Sequence, residues 1–368
     1  MRGPASQAGV VGVVRRSFHD ATGAPADLAK RWRFAGAASR SAGPLWMTVE
    51  GSNLCSCAVA CEVGRGGYRG GSEPVRQRAG RKHMDDWQLT AAYSSGLGEV
   101  RWEKLGAPDA EPLVLLHGTP FSSYIWRDIA ATLAHRYRVH VWDMPGYGVS
   151  EMSEAQDLSL GAITSVFAEL LDHWGLAEPL VVAHDSGGAI ALGAHLLHNA
   201  RYRRLALVDA VALGPWGSAF FEVVGGHADV FAGLPLRVHQ ALLREYVNSA
   251  SSRGLHPATL DALAAPWMDE PGQAAFYRQL GQRTNDPSFI DEIQGRYERI
   301  GIPVKICWGQ DDTWMPEARG RELAARIPEA TFHPVPRAGH LVQEDNPADL
   351  TATLVDFLRG WGPFTGGG

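Results

Sequence analysis

The chain has 368 residues, is 45% hydrophobic and carries a formal net charge of -6, which suits a globular, soluble protein with one large α/β domain and an inserted piece. No apolar run reaches the roughly 18 residues that cross a bilayer, and the amino terminus lacks the unbroken apolar core of a secretory signal, so a cytoplasmic protein is expected. Cys55, Cys57 and Cys61 crowd together and Cys307 stands alone. With no C-x2-C pair and no fourth ligand nearby, they read as incidental thiols, and no metal is expected.

Residues 1–83 differ from the rest. They hold 13 Lys and Arg against 5 Asp and Glu, in runs such as Gly64-Arg65-Gly66-Gly67-Tyr68-Arg69-Gly70-Gly71. No sustained periodicity there could build a core. Three readings stand: a basic arm for nucleic acid or a membrane surface, disorder without a role, or an extension of the reading frame ahead of a natural start at Met84. The third is the expectation, with neither nucleic acid nor membrane as a partner.

From Trp87 the pattern becomes regular. Residues 87–93 and 99–103 bracket Ser94-Ser95-Gly96-Leu97-Gly98 and predict an antiparallel hairpin at a sheet edge. Residues 113–116 follow as a buried strand, 124–135 as a helix, 139–142 as a strand and 160–174 as a helix. Next comes Leu180-Val181-Val182-Ala183-His184-Asp185-Ser186-Gly187-Gly188, a strand running into a tight turn, with a helix over 189–198. Such a turn strains its central residue and admits only small residues two places before and after it. Asp185 meets that condition with Ala183 and Gly187, whereas Ser186 would need His184 to fit. The group presented is therefore a carboxylate.

A strand over 205–208 completes this part. Strands alternating with helices predict a parallel sheet covered on both faces. Residues 213–299 break the alternation with helical pieces interrupted by Pro215, Pro235, Pro257, Pro266 and Pro271. It resumes with a strand over 304–308, a helix over 316–327, a strand over 331–335 and a closing helix over 348–358.

The elbow around Asp185 resembles that of the α/β-hydrolases, in the form with aspartate that haloalkane dehalogenases and epoxide hydrolases carry. The resemblance covers residues 84–360 and none of the first 83. It implies an α/β-hydrolase fold, a mostly parallel sheet flanked by helices, with core segments 84–212 and 300–368 and a helical cap over 213–299. Trp308-Gly309-Gln310-Asp311-Asp312 looks like the family's Gly-x-x-Asp and selects Asp312 as the acid, with Asp209 as the alternative. Arg337-Ala338-Gly339-His340 resembles the Gly-His before the last helix, so the order nucleophile, acid, histidine is kept. His117-Gly118-Thr119-Pro120 resembles the oxyanion loop, which assigns the N–H groups of Thr119 and Ser186 to a developing oxyanion. Asp143-Met144-Pro145-Gly146-Tyr147-Gly148-Val149-Ser150 also looks familial, with its glycines and proline serving turn geometry.

An ionised carboxylate needs no base to attack carbon, and the product is an alkyl ester on Asp185 that a water activated by His340 would cleave. The same machinery opens an epoxide or expels a halide. A halide needs N–H donors, and the tryptophan and asparagine that dehalogenases place for it are replaced here by Ser186 and Thr119. The stretch from Ser123 to Arg127 nonetheless looks like the dehalogenase version, and Trp216 or Trp267 could supply a donor. An epoxide needs a proton, and Ala275-Phe276-Tyr277-Arg278 resembles the epoxide hydrolase signature, with Tyr246 the weaker candidate for a second tyrosine. The expectation is a cofactor-free epoxide hydrolase acting on a small apolar substrate. Dehalogenation comes second, and a non-hydrolytic ligand-binding relative is the alternative of another class.

Overall fold

The computed structural model describes residues 87–284 and 288–360. The expectations for residues 1–83, including Cys55, Cys57 and Cys61, lie outside them. The eight strands are β1 (Ala91–Ser95), β2 (Gly98–Leu105), β3 (Glu111–Leu116), β4 (Tyr137–Trp142), β5 (Leu180–His184), β6 (Arg204–Val208), β7 (Val304–Gly309) and β8 (Thr331–Val335). They form one sheet in the order β1-β2-β4-β3-β5-β6-β7-β8. β1 pairs with β2 and β2 with β4 antiparallel, while every pairing from β4 across to β8 is parallel.

The central strands are apolar because both faces are covered. Leu113 to Leu116 on β3 are fully buried, and all of β5 is buried. The register Leu113↔Leu180 and Leu180↔Arg204 brings the carboxyl ends of β3, β5 and β6 level, which is where open parallel sheets collect their sites. α1 (Arg127–Leu133), α2 (Leu160–His173) and α3 (Ser186–Leu197) lie in the first half of the sheet's connections.

Several boundaries differ from the sequence expectation. The helix expected over 124–135 is a 3-10 turn, Ser123–Trp126, followed by α1. Trp126 donates its indole N–H to Leu116 O at 3.0 Å, and Arg127 forms a two-pronged ion pair with Glu344. These residues, where the chain looks most like a dehalogenase, pack the fold. The elbow helix begins at Ser186 and takes in both glycines. Packing explains Gly187 better than turning, since a Cβ there would sit 2.4 Å from His117 O.

Between β6 and β7 the described residues form only helices and turns: α4 (Ala219–Gly226), α5 (Ala228–Ala232), α6 (Leu236–Asn248), α7 (Pro257–Ala264), α8 (Glu270–Thr284) and α9 (Ser288–Gln294). Hydrogen bonds fasten this insert to the sheet's loops. Trp267 Nε1 donates to Pro120 O at 3.0 Å, Leu158 N to Gln282 Oε1 at 2.7 Å, and Arg278 to Ser153 O at 3.0 Å. After β7 come α10 (Glu317–Arg326), then beyond β8 the short α11 (Val342–Asp345) and α12 (Pro347–Arg359). α11 has no counterpart in the sequence reading, being too short for a helical period to register. No helix among the described residues is long and apolar enough to cross a membrane.

Candidate active site

Asp185 follows β5 directly, with φ 49 and ψ -125, a backbone conformation that a non-glycine residue adopts only when its surroundings enforce it. They do so here by hydrogen bonds: Asp185 N donates to Val208 O at 3.1 Å, while its carbonyl accepts from Gly188 N and Val211 N, both at 2.9 Å. The side chain lies at the carboxyl edge of the sheet. Thr119 N donates to its Oδ1 at 2.7 Å. That approach requires Gly118, where a Cβ would lie 2.3 Å from the Asp185 Cβ.

His340 sits in the loop after β8 and is buried. Its Nδ1 lies 2.9 Å from Asp312 Oδ2, and its Nε2 lies 3.4 Å from Asp185 Oδ2. The second contact is at the limit of hydrogen-bond reach. Asp312, in the loop after β7, also accepts from Trp314 N at 2.7 Å and Met315 N at 2.9 Å. Asp311, its neighbour, is exposed.

The charges support one another. Burial alone would raise the Asp185 carboxyl, but hydrogen bonding and attraction to His340, with the Ser186 N–H, bring it down to about 2. Burial would lower His340, but Asp312 and Asp185 outweigh it and hold the imidazole well above its ordinary value. His184, one residue before the elbow, lies 2.9 Å from His340 O through Nε2, and its ring is 4.9 Å from that of His340. Burial, then the His340 charge, push His184 down to about 3, so it stays neutral and steadies the histidine loop.

Asp209, the alternative acid, closes β6 with φ 40 and is fully buried. One of its oxygens accepts from Gly309 N at 2.9 Å and the other has no partner among the described residues. Burial, and then the charge of Asp312, raise its carboxyl well above the ordinary range. Burial thus favours the protonated form of Asp209, and the carboxylate that meets the His340 imidazole is Asp312. Among the described residues these three alone offer a clustered set of metal-ligating atoms, within 4.8 Å of one another. Asp312, however, is already spent on two backbone N–H groups and the imidazole.

Thr119 and Ser186 meet again through their hydroxyls, 3.1 Å apart, and Thr119 Oγ1 lies 2.9 Å from Tyr147 OH. Tyr147 was missed by the sequence reading. Its place in the Pro-Gly-Tyr-Gly turn after β4 was the available signal. Asp143 in the same stretch accepts from Ser123 N at 2.7 Å and Val149 N at 2.9 Å, which ties the turn together.

The two tyrosines exchange rank. Tyr277, expected first, bonds His239 Nδ1 at 2.9 Å and does not line the cavity at Asp185. His239 Nε2 lies 2.8 Å from Trp267 O, which makes Nδ1 the acceptor and directs the phenol proton away from the site. Burial pushes the Tyr277 phenol up to about 12. Tyr246 does line the cavity, with Thr119, Asp185, His340, Trp216 and Trp314. Burial raises its phenol too, and Ser218 Oγ donates to it at 3.4 Å. Trp314, also missed, stacks on Tyr246 at 4.3 Å and on His340 at 4.9 Å. The cavity itself is a slit of about 10 Å³, the room about one water needs.

Comparison with known proteins agrees with this geometry. Residues 111–347 match the family described as alpha/beta hydrolase fold. A solved alpha/beta hydrolase fold protein from Burkholderia ambifaria is 44% identical, with a TM-score of 0.70 over 73% of this chain and 98% of that one. The uncharacterised hydrolase YugF of Bacillus subtilis is 24% identical over 71% of this chain and 94% of its own. Haloalkane dehalogenase 2 of Mycobacterium tuberculosis is 25% identical over 72% and 93%. With its sheet order, its strained residue at the end of β5 and a family match over 111–347, the chain belongs to the α/β-hydrolase fold family.

Proposed function

We propose that the chain hydrolyses epoxides through an ester formed on Asp185. Thr119 N–H already holds Oδ1 at 2.7 Å, which leaves Oδ2 to attack a ring carbon of the epoxide. As that bond forms, the ring C–O bond breaks, and its electron pair stays on the ring oxygen, which takes the Tyr246 proton. Esterification removes one of the two negative partners of His340. The imidazolium then gives its proton to the Tyr246 phenolate, which restores the phenol, and the neutral imidazole becomes a base able to take one from water. The water oxygen adds to the Asp185 carboxyl carbon, the negative charge gathers on Oδ1 against the N–H groups of Thr119 and Ser186, and collapse expels the diol. The departing alkoxide takes the second proton of that water, and the imidazolium is left facing the freed Asp185 carboxylate as at the start.

The observation that carries the choice of epoxide is the company Tyr246 keeps. Its protonated phenol shares the slit with Asp185 and His340. Meanwhile the indole N–H groups of Trp126, Trp267, Trp308 and Trp314 are committed to Leu116 O, Pro120 O, Met315 O and Ser249 Oγ. A proton donor is thus in place, and a cradle of halide donors is largely spent.

Haloalkane dehalogenation is the second reading, favoured by one observation. Trp216 lines the slit, and among the described residues its indole N–H has no partner. The likeness to the mycobacterial dehalogenase supports it. Assaying one aryl epoxide and one bromoalkane, with diol and bromide as readouts, tests both. Diol without bromide is expected, bromide without diol reverses the choice, and neither product favours a ligand-binding relative.

A further inference from the structure

The slit at Asp185 is too small for any organic substrate, and the larger space is next to it. A cavity of about 250 Å³ shares the wall formed by Trp216, Gly217, Trp314 and Met315. Its interior is made by Ala210, Leu213, Trp308 and Leu323, all buried, and its mouth by the exposed Pro215 and Pro316. The one charge on its lining is Arg319. That guanidinium donates to Leu213 O at 2.8 Å and Pro215 O at 2.7 Å and pairs with Glu322 at 3.2 Å. With two of its N–H groups on the chamber's own wall and its charge paired with Glu322, Arg319 does not call for an anion. The chamber is apolar in effect, and about 150 Å³ of such space is enough for benzene.

The shared wall has one fixed leaf and one loose leaf. Trp314 is clamped between Tyr246 and His340 and donates to Ser249 Oγ at 3.1 Å. Trp216 is half-buried, rests on Phe221 at 5.0 Å between ring centres, and has no indole hydrogen bond among the described residues. Turning Trp216 costs a ring contact and no polar bond.

We propose that this chamber holds the distal hydrocarbon arm of the substrate, an aryl ring or a chain of several carbons, joined to the slit at Asp185 when Trp216 turns aside. The proposal rests on the epoxide reading for the reactive end, and the chamber itself supplies the rest of the substrate's chemistry: uncharged, apolar, and larger than the slit admits. Arms carrying a carboxylate or ammonium group are excluded from it by desolvation.

The test is a homologous series, terminal epoxides from propane to decane for turnover and the matching vicinal diols for binding by calorimetry. In the unaltered enzyme, kcat/KM and diol affinity should each rise about fourfold per methylene until the chamber is full. Leu213→Trp, which fills the chamber without touching the slit, should flatten that rise. Leu213→Ala should extend it to longer chains, an opposite change that a misfolded variant could not mimic. A rise that Leu213→Trp leaves intact, or no rise with chain length, overturns the chamber's role while small-epoxide turnover keeps the reaction. Diol affinity that climbs with length and is flattened by Leu213→Trp, in an enzyme that opens no epoxide, sustains the chamber and overturns the reaction.

Discussion

Replacing His340 with glutamine separates the two halves of the proposed reaction. Attack by Asp185 needs no base, because its carboxyl is held at about 2 and is ionised at neutral pH. Cleavage of the ester does need one, and general base catalysis contributes about 10²–10⁴-fold. The first half should therefore run and the second stall by about that factor, leaving one equivalent of ester on the enzyme. Glutamine is preferred to alanine because Asp312 is buried and bonds the imidazole at 2.9 Å. Stranding that carboxylate would cost on the order of 3–5 kcal/mol, whereas an amide N–H keeps it partnered. Intact mass after mixing with an aryl epoxide should show the protein heavier by one substrate, and peptide mapping should place the addition on Asp185. A folded His340→Gln protein that gains no mass, while the unaltered enzyme turns over the same epoxide, would refute the ester. An adduct on any other residue would refute Asp185 as its site.

Tyr246→Phe should lower epoxide turnover by about 10²–10⁴-fold by removing the proton donor; Tyr277→Phe, which breaks the bond to His239, should instead cost about 1 kcal/mol of stability in a denaturant titration. Equal kinetic losses in both would restore Tyr277 to the site. Asp209→Asn should leave turnover within about tenfold, since an amide replaces a carboxyl whose neutral form burial favours, whereas Asp312→Asn should cost about 10⁴-fold, as amidating the acid of a related triad does. The reverse order would make Asp209 the acid. In acid, the Asp185 carboxyl, lowered from 3.8 to about 2, contributes stability that is present above the unfolded value and lost as pH falls toward the folded one. The loss amounts to about 2 kcal/mol between about pH 4 and about pH 2. Asp185→Asn should lack that part of the pH dependence in urea titrations, and an unchanged profile would show that the contact with His340 is weak.

The residues easiest to find in the sequence were those fixed by local geometry. Asp185 was legible because a strained turn constrains the two residues on each side of it. Asp312 and His340 were legible because each follows a strand in a stretch that resembles a family motif, Gly-x-x-Asp for one and Gly-His for the other. The tyrosines were not. Which of Tyr246 and Tyr277 reaches the slit depends on how α6 and α8 roll against the sheet, and helical period says only that each faces something apolar. Trp314 was equally hidden, since its stacking on His340 joins loops 26 residues apart in a way no pattern encodes. Asp209 shows the converse limit: its position fits an acid well, and only its burial beside Asp312, which raises its carboxyl, argues against that role.

The helical insert is tied to the histidine as well as to the pocket. Asp345 accepts from Ser252 N at 2.8 Å at the end of α6 and from Gly339 N at 2.7 Å, one residue before His340, while Leu341 N donates to Ala250 O at 3.0 Å. In the proposed reaction, the insert that helps line the slit thus also braces the histidine that would cleave the ester. Grafting this bundle onto a relative, or borrowing another in its place, would carry over selectivity but leave the imidazole unsupported unless the contacts of Asp345 travelled with it. In the proposed enzyme, breadth of substrate and speed of turnover would be set through the same few bonds, so neither could drift far without the other.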